Sequence, residues 1–240
     1  KLDAADVSSA SAKVSRRKDV TTGKYPEYRE VWKDSALEVV AIFGYAEGGG
    51  PSDIGQQQYE SFVSGVAASL PGAKRTEGKS ASIHKDVTIE GKVTGPAGEA
   101  RTVKVTSLLI DTLYTAGSDF DARYDAITEK ADLVMYNGHS ELSKNTNAMA
   151  RKGKVAKEKY QLFFFDSCDT FAYLDTALTD RRKQVNGASD PKGSKYLDVV
   201  TNVLPSYFMN YSGSSLTIYK ALLDDKNPKT YNQILESLPS

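Results

Sequence analysis

Two kinds of apolar pattern alternate along the chain. Leu37-Glu-Val-Val-Ala-Ile-Phe-Gly44 is almost unbroken and rich in β-branched residues, which predicts a strand covered on both faces. It runs into a loop at Gly48-Gly49-Gly50-Pro51. Over residues 56–70, Tyr59, Phe62, Val63, Val66 and Leu70 recur at spacings of three and four, the period of an amphipathic helix, and Pro71-Gly72 stops it. Over residues 83–110 the period changes to two. Val87 and Ile89 alternate with polar residues, Gly95-Pro-Ala-Gly98 turns the chain, and Val103, Val105 and Leu108-Leu109-Ile110 return, a hairpin whose second arm becomes a buried strand. A helix is expected over 121–130 and a short apolar strand over 132–136, ending at Asn137-Gly138-His139-Ser140. After a polar, Lys-rich linker, Tyr160-Gln-Leu-Phe-Phe-Phe165 predicts a fourth strand, ending at Asp166-Ser167-Cys168-Asp169. Helices are expected over 173–182, 196–207, 214–223 and 231–238, the first two separated by a turn-rich linker at 184–194.

Strands that alternate with helices and are apolar on both faces imply an α/β fold: a mostly parallel sheet with helices on both faces and a β-hairpin insertion. The polar residues 1–36 read as an N-terminal arm or edge hairpin, and residues 37–240 as the α/β domain. In such sheets the functional groups gather at the carboxyl ends of the strands. His139 and Cys168 each follow an apolar strand, so both are expected on one rim.

Composition narrows the chemistry. The 240 residues carry 31 Lys+Arg against 31 Asp+Glu, a balance that argues against nucleic-acid or membrane-surface binding through bulk positive charge. No apolar run approaches the roughly 18 to 20 residues of a membrane span. One cysteine and two histidines, His84 and His139, supply neither an intrachain disulfide nor the four ligands of a structural zinc. The chain begins at Lys1 rather than Met, as it would after removal of a leader or propeptide, which favours a secreted or periplasmic setting over a cytoplasmic one.

A cysteine nucleophile needs its thiolate, or an imidazole nearby that can take and return a proton. His139 can supply that imidazole. If their strands are neighbours, short loops suffice to bring the two side chains together. The polar surroundings of Cys168, with Asp166, Ser167, Asp169 and Thr170, suit a reactive thiol better than a core one.

The block ending in Gly138-His139-Ser140, followed by Phe163-Phe-Phe-Asp-Ser-Cys168, resembles the caspase-like (clan CD) superfamily of cysteine peptidases, which includes metacaspases, clostripain, separase and gingipains. The likeness in element order covers roughly residues 37–223, but only the two short motifs are specific. Ser140 stands where the family usually has glycine, and the caspase-type sequence around the cysteine is absent. The resemblance implies a cysteine endopeptidase that works by acyl transfer to Cys168, with His139 managing the protons. It also implies an oxyanion held by the backbone N–H of Cys168 and that of Ser140 or Gly138. Asp166, two residues before the cysteine, matches the family position that lines a pocket for a basic P1 side chain; capping of the following helix is the other reading, for which Asp169 is the better candidate. Basic specificity would allow self-cleavage at Arg181-Arg182-Lys183 or at Arg16-Arg17-Lys18. A catalytically weak or inactive relative that binds a peptide or protein on the same rim is the alternative. The partner implied in either case is a peptide or protein substrate.

Other signals carry less. Gly44-Tyr-Ala-Glu-Gly-Gly-Gly-Pro51 lacks the Gly-Lys-Ser/Thr of a phosphate loop and reads as a mobile loop on the rim. No cofactor is expected. Asp119, Asp121 and Asp125 could attract calcium but lack the glycine and terminal Glu of an EF-hand loop, so helix capping by Asp119 or Asp121 is the simpler reading. His84 reads as a surface residue. Tyr207, Phe208, Tyr211 and Tyr219 are candidates to shape substrate pockets.

Overall fold

The computed structural model describes residues 23–239. A helical turn, α1 (Tyr28–Val31), leads into β1 (Ala36–Gly44) and α2 (Ile54–Ser69). Three strands follow, β2 (Lys74–Ser80), β3 (Ile83–Thr94) and β4 (Ala100–Ile110). The chain then alternates through α3 (Ser118–Thr128), β5 (Leu133–Asn137), α4 (Lys144–Arg151), β6 (Gln161–Asp166), α5 (Thr170–Tyr173), α6 (Ala177–Asn186) and β7 (Leu197–Thr201). It ends with α7 (Tyr211–Leu223) and α8 (Tyr231–Leu235). The strands form one seven-stranded sheet in the order β2-β3-β4-β1-β5-β6-β7. Pairings from β4 to β7 are all parallel, while β2-β3 and β3-β4 are antiparallel. The fold is α/β, as the alternation of patterns predicts.

Successive side chains on a strand point to opposite faces, and both faces here are apolar. Val39, Ala41 and Phe43 of β1, Met135 of β5 and Phe164 of β6 join Tyr59, Phe62 and Val66 of α2 and Tyr211, Ile218 and Leu222 of α7 in one core. Val40, Ile42, Val134, Tyr136, Phe163 and Phe165 point the other way and meet Phe120 and Tyr124 of α3, Met149 of α4 and Leu178 of α6. Because β1, β4, β5, β6 and β7 run parallel, their carboxyl ends share one edge. Phe43 pairs with Asn137, and Asn137 with Asp166, so His139 and Cys168 leave the sheet from adjacent strands at matching positions.

Several elements differ from their sequence expectations. The segment expected as a helix over 196–207 forms β7 and an irregular, bent stretch, because Leu197–Thr201 completes the parallel sheet beside β6, and backbone pairing there outweighs a periodicity of Val and Tyr that fits either state. The Lys-rich linker contains α4, whose buried residues include Asn145 and Thr146. In the region of the expected edge hairpin, residues 28–31 form α1, and Val31 and Trp32 are buried, with Trp32 Nε1 donating to Leu222 O at 3.0 Å. Arg16, Arg17 and Lys18 lie outside the described residues. Among the described residues no helix is long and apolar enough to cross a membrane.

The basic triplet at 181–183 is not the open linker that self-cleavage requires. It lies within α6, with Arg181 donating to Ala150 O, Lys152 O and Gly153 O. Arg182 is fully buried against the Phe163 ring and donates to Gln161 Oε1 at 2.6 Å and Leu178 O at 3.1 Å. A protease needs an extended segment, and this one is helical and anchored. Trypsin acting on the native protein is therefore expected to leave the 181–182 and 182–183 bonds intact over times that cleave the urea-unfolded chain. Early fragments ending at Arg181 or Arg182 would contradict the placement of α6.

Candidate functional site

The loop after β5 is held through its carbonyls. Gly138 O accepts from Tyr211 Oη at 3.1 Å, and His139 O accepts from Tyr136 Oη at 2.8 Å and Asn145 Nδ2 at 2.9 Å. Asn145 Oδ1 in turn accepts the N–H groups of Leu113 and Tyr114 at 2.9 and 3.0 Å, tying this loop to the one that follows β4. Glu141, Leu142 and Ser143 then adopt left-handed backbone in succession, with φ of 51°, 46° and 87°. Non-glycine residues rarely occupy that region and usually do so where surrounding structure enforces it. Here Asn145 N donates to Ser140 O and Lys144 N to Glu141 O across the turn.

The imidazole of His139 is exposed, packs edge-on against Phe208 with ring centroids 4.8 Å apart, and contacts Ala46 O through Nε2 at 3.0 Å. A carbonyl oxygen only accepts, so Nε2 carries the ring proton and Nδ1 is left free to take another. Cys168, half-buried in the turn after β6, donates its thiol to Ser206 O at 3.6 Å. The thiol and the imidazole are thus on one rim, each with a backbone carbonyl as its partner, and no hydrogen bond joins them to each other. Tyr211 lies close enough for Asp166 and Cys168 to raise its hydroxyl pKa, after burial as the main cause.

The backbone donors divide. Gly138 N–H donates to Asp166 O at 3.4 Å, continuing the β5–β6 ladder. The N–H groups of Ser140 and Cys168 have no acceptor among the described residues. Ser140 is not among the residues with positive φ, so this position does not demand glycine.

Asp166 is buried at the end of β6. One oxygen, Oδ1, accepts from Asn202 Nδ2 at 3.1 Å and from Ser206 Oγ, while Oδ2 has no partner among the described residues. Burial pushes the carboxyl above its ordinary pKa, and the bonds from Ser206 and Asn202 only partly oppose it. Asp166 does not cap α5, and neither does Asp169, whose own φ is 53° and whose side chain makes no capping bond. Asp166 instead lines a cavity of about 380 Å³ together with Asn202, Ser206, Tyr207, Asn210 and Ser214. Ser206 therefore touches both groups singled out in the sequence: its hydroxyl binds Asp166 and its carbonyl binds the Cys168 thiol.

Ala46 O, Ser206, Asn202 and Phe208 complete the site. Of these the sequence singles out only Phe208, as a possible pocket residue. Tyr211 lies under the His139 loop, Tyr207 is exposed beside the cavity, and Tyr219 is buried elsewhere, bonded to Ser69. His84 is engaged by Asp111 at 2.9 Å and by the Tyr45 ring. Asp119 and Asp121 lie in the first turn of α3 without capping it; Asp119 accepts from Ser80 Oγ and Ala81 N, and Asp121 pairs with Lys152. Among the described residues no group of three or more His, Cys, Asp or Glu side chains is gathered to hold a metal. The chain matches no protein-family model, and no curated protein is similar enough to count as a relative.

The raised pKa of Asp166 has a sign that stability measurements can read. A carboxyl whose folded pKa exceeds its unfolded value binds its proton more tightly when folded, so its contribution to stability falls as pH rises from the ordinary carboxylate range through the raised value. Asp166→Asn removes the charge and keeps an acceptor for Asn202 and Ser206. The variant is expected to unfold at higher urea than the parent at pH 7, with the difference shrinking towards pH 4. A variant less stable at pH 7 would contradict the assignment of Asp166 as a buried, half-partnered charge.

Proposed function

We propose that the protein is a caspase-like cysteine endopeptidase that cleaves after Arg or Lys. The observation that carries this reading is Asp166: a buried carboxylate with one oxygen unpartnered, lining a cavity and two residues from a thiol that shares its rim with an imidazole. A guanidinium or ammonium entering that cavity would supply the missing partner by a charge-assisted bond.

The chemistry follows from the free groups. The Cys168 thiol passes its proton to Nδ1 of His139, and the thiolate sulfur attacks the carbonyl carbon of the scissile bond. Negative charge develops on the carbonyl oxygen, where the unengaged N–H groups of Cys168 and Ser140 can meet it. The C–N bond breaks as Nδ1–H protonates the leaving amine, leaving a thioester on Cys168. Water, deprotonated by His139, then attacks that thioester and releases the acid with regeneration of the thiol. Throughout, Nε2–H stays on Ala46 O, so the same ring nitrogen handles each proton.

Fluorogenic peptides that differ only at P1 test the reading. Turnover is expected with Arg and Lys, and no turnover with the Cys168→Ala protein. His139→Ala should cost about 10²–10⁴-fold in kcat/KM, the usual contribution of a positioned acid–base. Asp166→Asn should lower kcat/KM for basic substrates by about 10- to 100-fold, as a bond to a charged group worth about 1.5–3 kcal/mol implies. Because Asp166 titrates above the ordinary range, the preference for a charged P1 should weaken as pH falls, at a higher pH than a solvated carboxylate would give. A protein that binds basic peptides without cleaving them would instead be an inactive relative using the same pocket.

A further inference from the structure

The ring contact of His139 depends on where Ala46 O is held, and Ala46 sits in a loop with no regular structure of its own. Gly48, Gly49 and Gly50 have φ of 99°, 94° and 100°. What gathers this loop is one carboxylate. Asp53 is the N-cap of α2, accepting from Gln56 N at 3.1 Å, and it also accepts from Ala46 N at 3.1 Å, Glu47 N at 2.8 Å and Gly49 N at 3.2 Å. Only the bond to Gln56 is ordinary helix capping; the other three reach back across the loop, one of them to Ala46, whose carbonyl meets His139. Burial of Asp53 is opposed by these four donors, which together hold the carboxyl below its usual range and keep it ionised. The start of α2 is itself fixed against the end of β1: a Cβ on Gly55 would lie 2.2 Å from Gly44 O, so only glycine allows this approach.

We propose that Asp53 is a positioning residue that sets the tautomer of His139 by fixing Ala46 O against Nε2. With Asp53 ionised, the loop presents a carbonyl to Nε2, the ring proton stays there, and Nδ1 faces the reaction. Without it, three loop N–H groups lose their common acceptor, Ala46 O loses its fixed place, and the neutral ring is free to carry its proton on Nδ1. The tautomer is a property of the free protein. Its catalytic consequence rests on the peptidase reading.

The protein contains two histidines, so His84→Asn leaves His139 as the sole imidazole. In that background, nitrogen-15 NMR of the neutral ring is expected to show the Nε2–H form in excess. Asp53→Asn keeps a helix cap but replaces one accepting oxygen by a donor, and Asp53→Ser keeps a cap too short to span the loop. Both variants are expected to retain far-ultraviolet circular dichroism while the Nδ1–H fraction rises several-fold. With basic substrates, kcat should fall about 10- to 100-fold and KM should change little, the scale expected when a reacting group is slightly misplaced. An unchanged tautomer in either folded variant, or a parent ring protonated on Nδ1, would overturn the proposal even if activity fell. Absence of turnover in a parent whose tautomer responds to Asp53 would refute the peptidase reading and leave this inference standing.

Discussion

Adjacent, parallel pairing of β5 and β6, with Asn137 opposite Asp166, is the constraint on which the site depends. Both strands are apolar on both faces, so the hydrophobic pattern alone would tolerate some slippage. Polar groups at the ends remove that freedom. Asn137 is fully buried, donates to Ile42 O at 3.3 Å and accepts from Ser215 Oγ at 2.8 Å. At the opposite end Gln161 donates to Thr128 O and Ala131 O and accepts from Arg182. Sliding either strand by one position would leave these buried groups unpartnered, at about 1–3 kcal/mol for each. The register is thereby fixed, and with it the departure of His139 and Cys168 from neighbouring strand ends.

Beyond the sheet edge, the protein holds its loops through backbone carbonyls and a few buried side chains. Tyr136, Tyr211 and Asn145 grip the carbonyls of 138 and 139; Asp53 grips the amides of 46, 47 and 49; Ser206 connects Asp166 with Cys168. Each tie costs desolvation that its partner offsets, which is why the Oδ2 atom of Asp166 stands out. A carboxylate with every oxygen satisfied would be structural. Asp166 instead keeps one oxygen without a partner at the wall of a cavity, and burial holds its pKa above the ordinary range.

Much of this frame is legible in the residues. β1, β5 and β6 announce themselves because a strand buried on both faces must be apolar at every position, and the placement of His139 and Cys168 on one rim follows from parallel topology. Other parts carry no such mark. β2 reads Lys-Arg-Thr-Glu-Gly-Lys-Ser, mostly exposed, and is a strand only because β3 offers it a ladder. α4 is short and polar, so its role in holding the His139 loop through Asn145 depends on tertiary contacts. β7 has Val199 and Val200 half-buried at the sheet's edge, where helix and strand periods cannot be told apart over so few residues. The carbonyls of Ala46 and Ser206 are invisible in principle, since every residue has one. Asp53 before Ile54-Gly55 does carry a readable signal, that of a helix N-cap, but a cap alone does not reveal the three further amides it collects.

In the proposed peptidase, a buried carboxylate selects a cation for a thiol activated by an imidazole on the same rim. The most direct measurement compares two peptidyl acyloxymethyl ketones that differ only in P1, lysine in one and its uncharged isostere norleucine in the other, with intact mass read over time. A single adduct on Cys168 is expected, formed much faster by the lysyl reagent, with that advantage lost in Asp166→Asn and labelling by either reagent slowed in His139→Ala. Equal labelling by the two reagents, or a thiol inert to both, would contradict it.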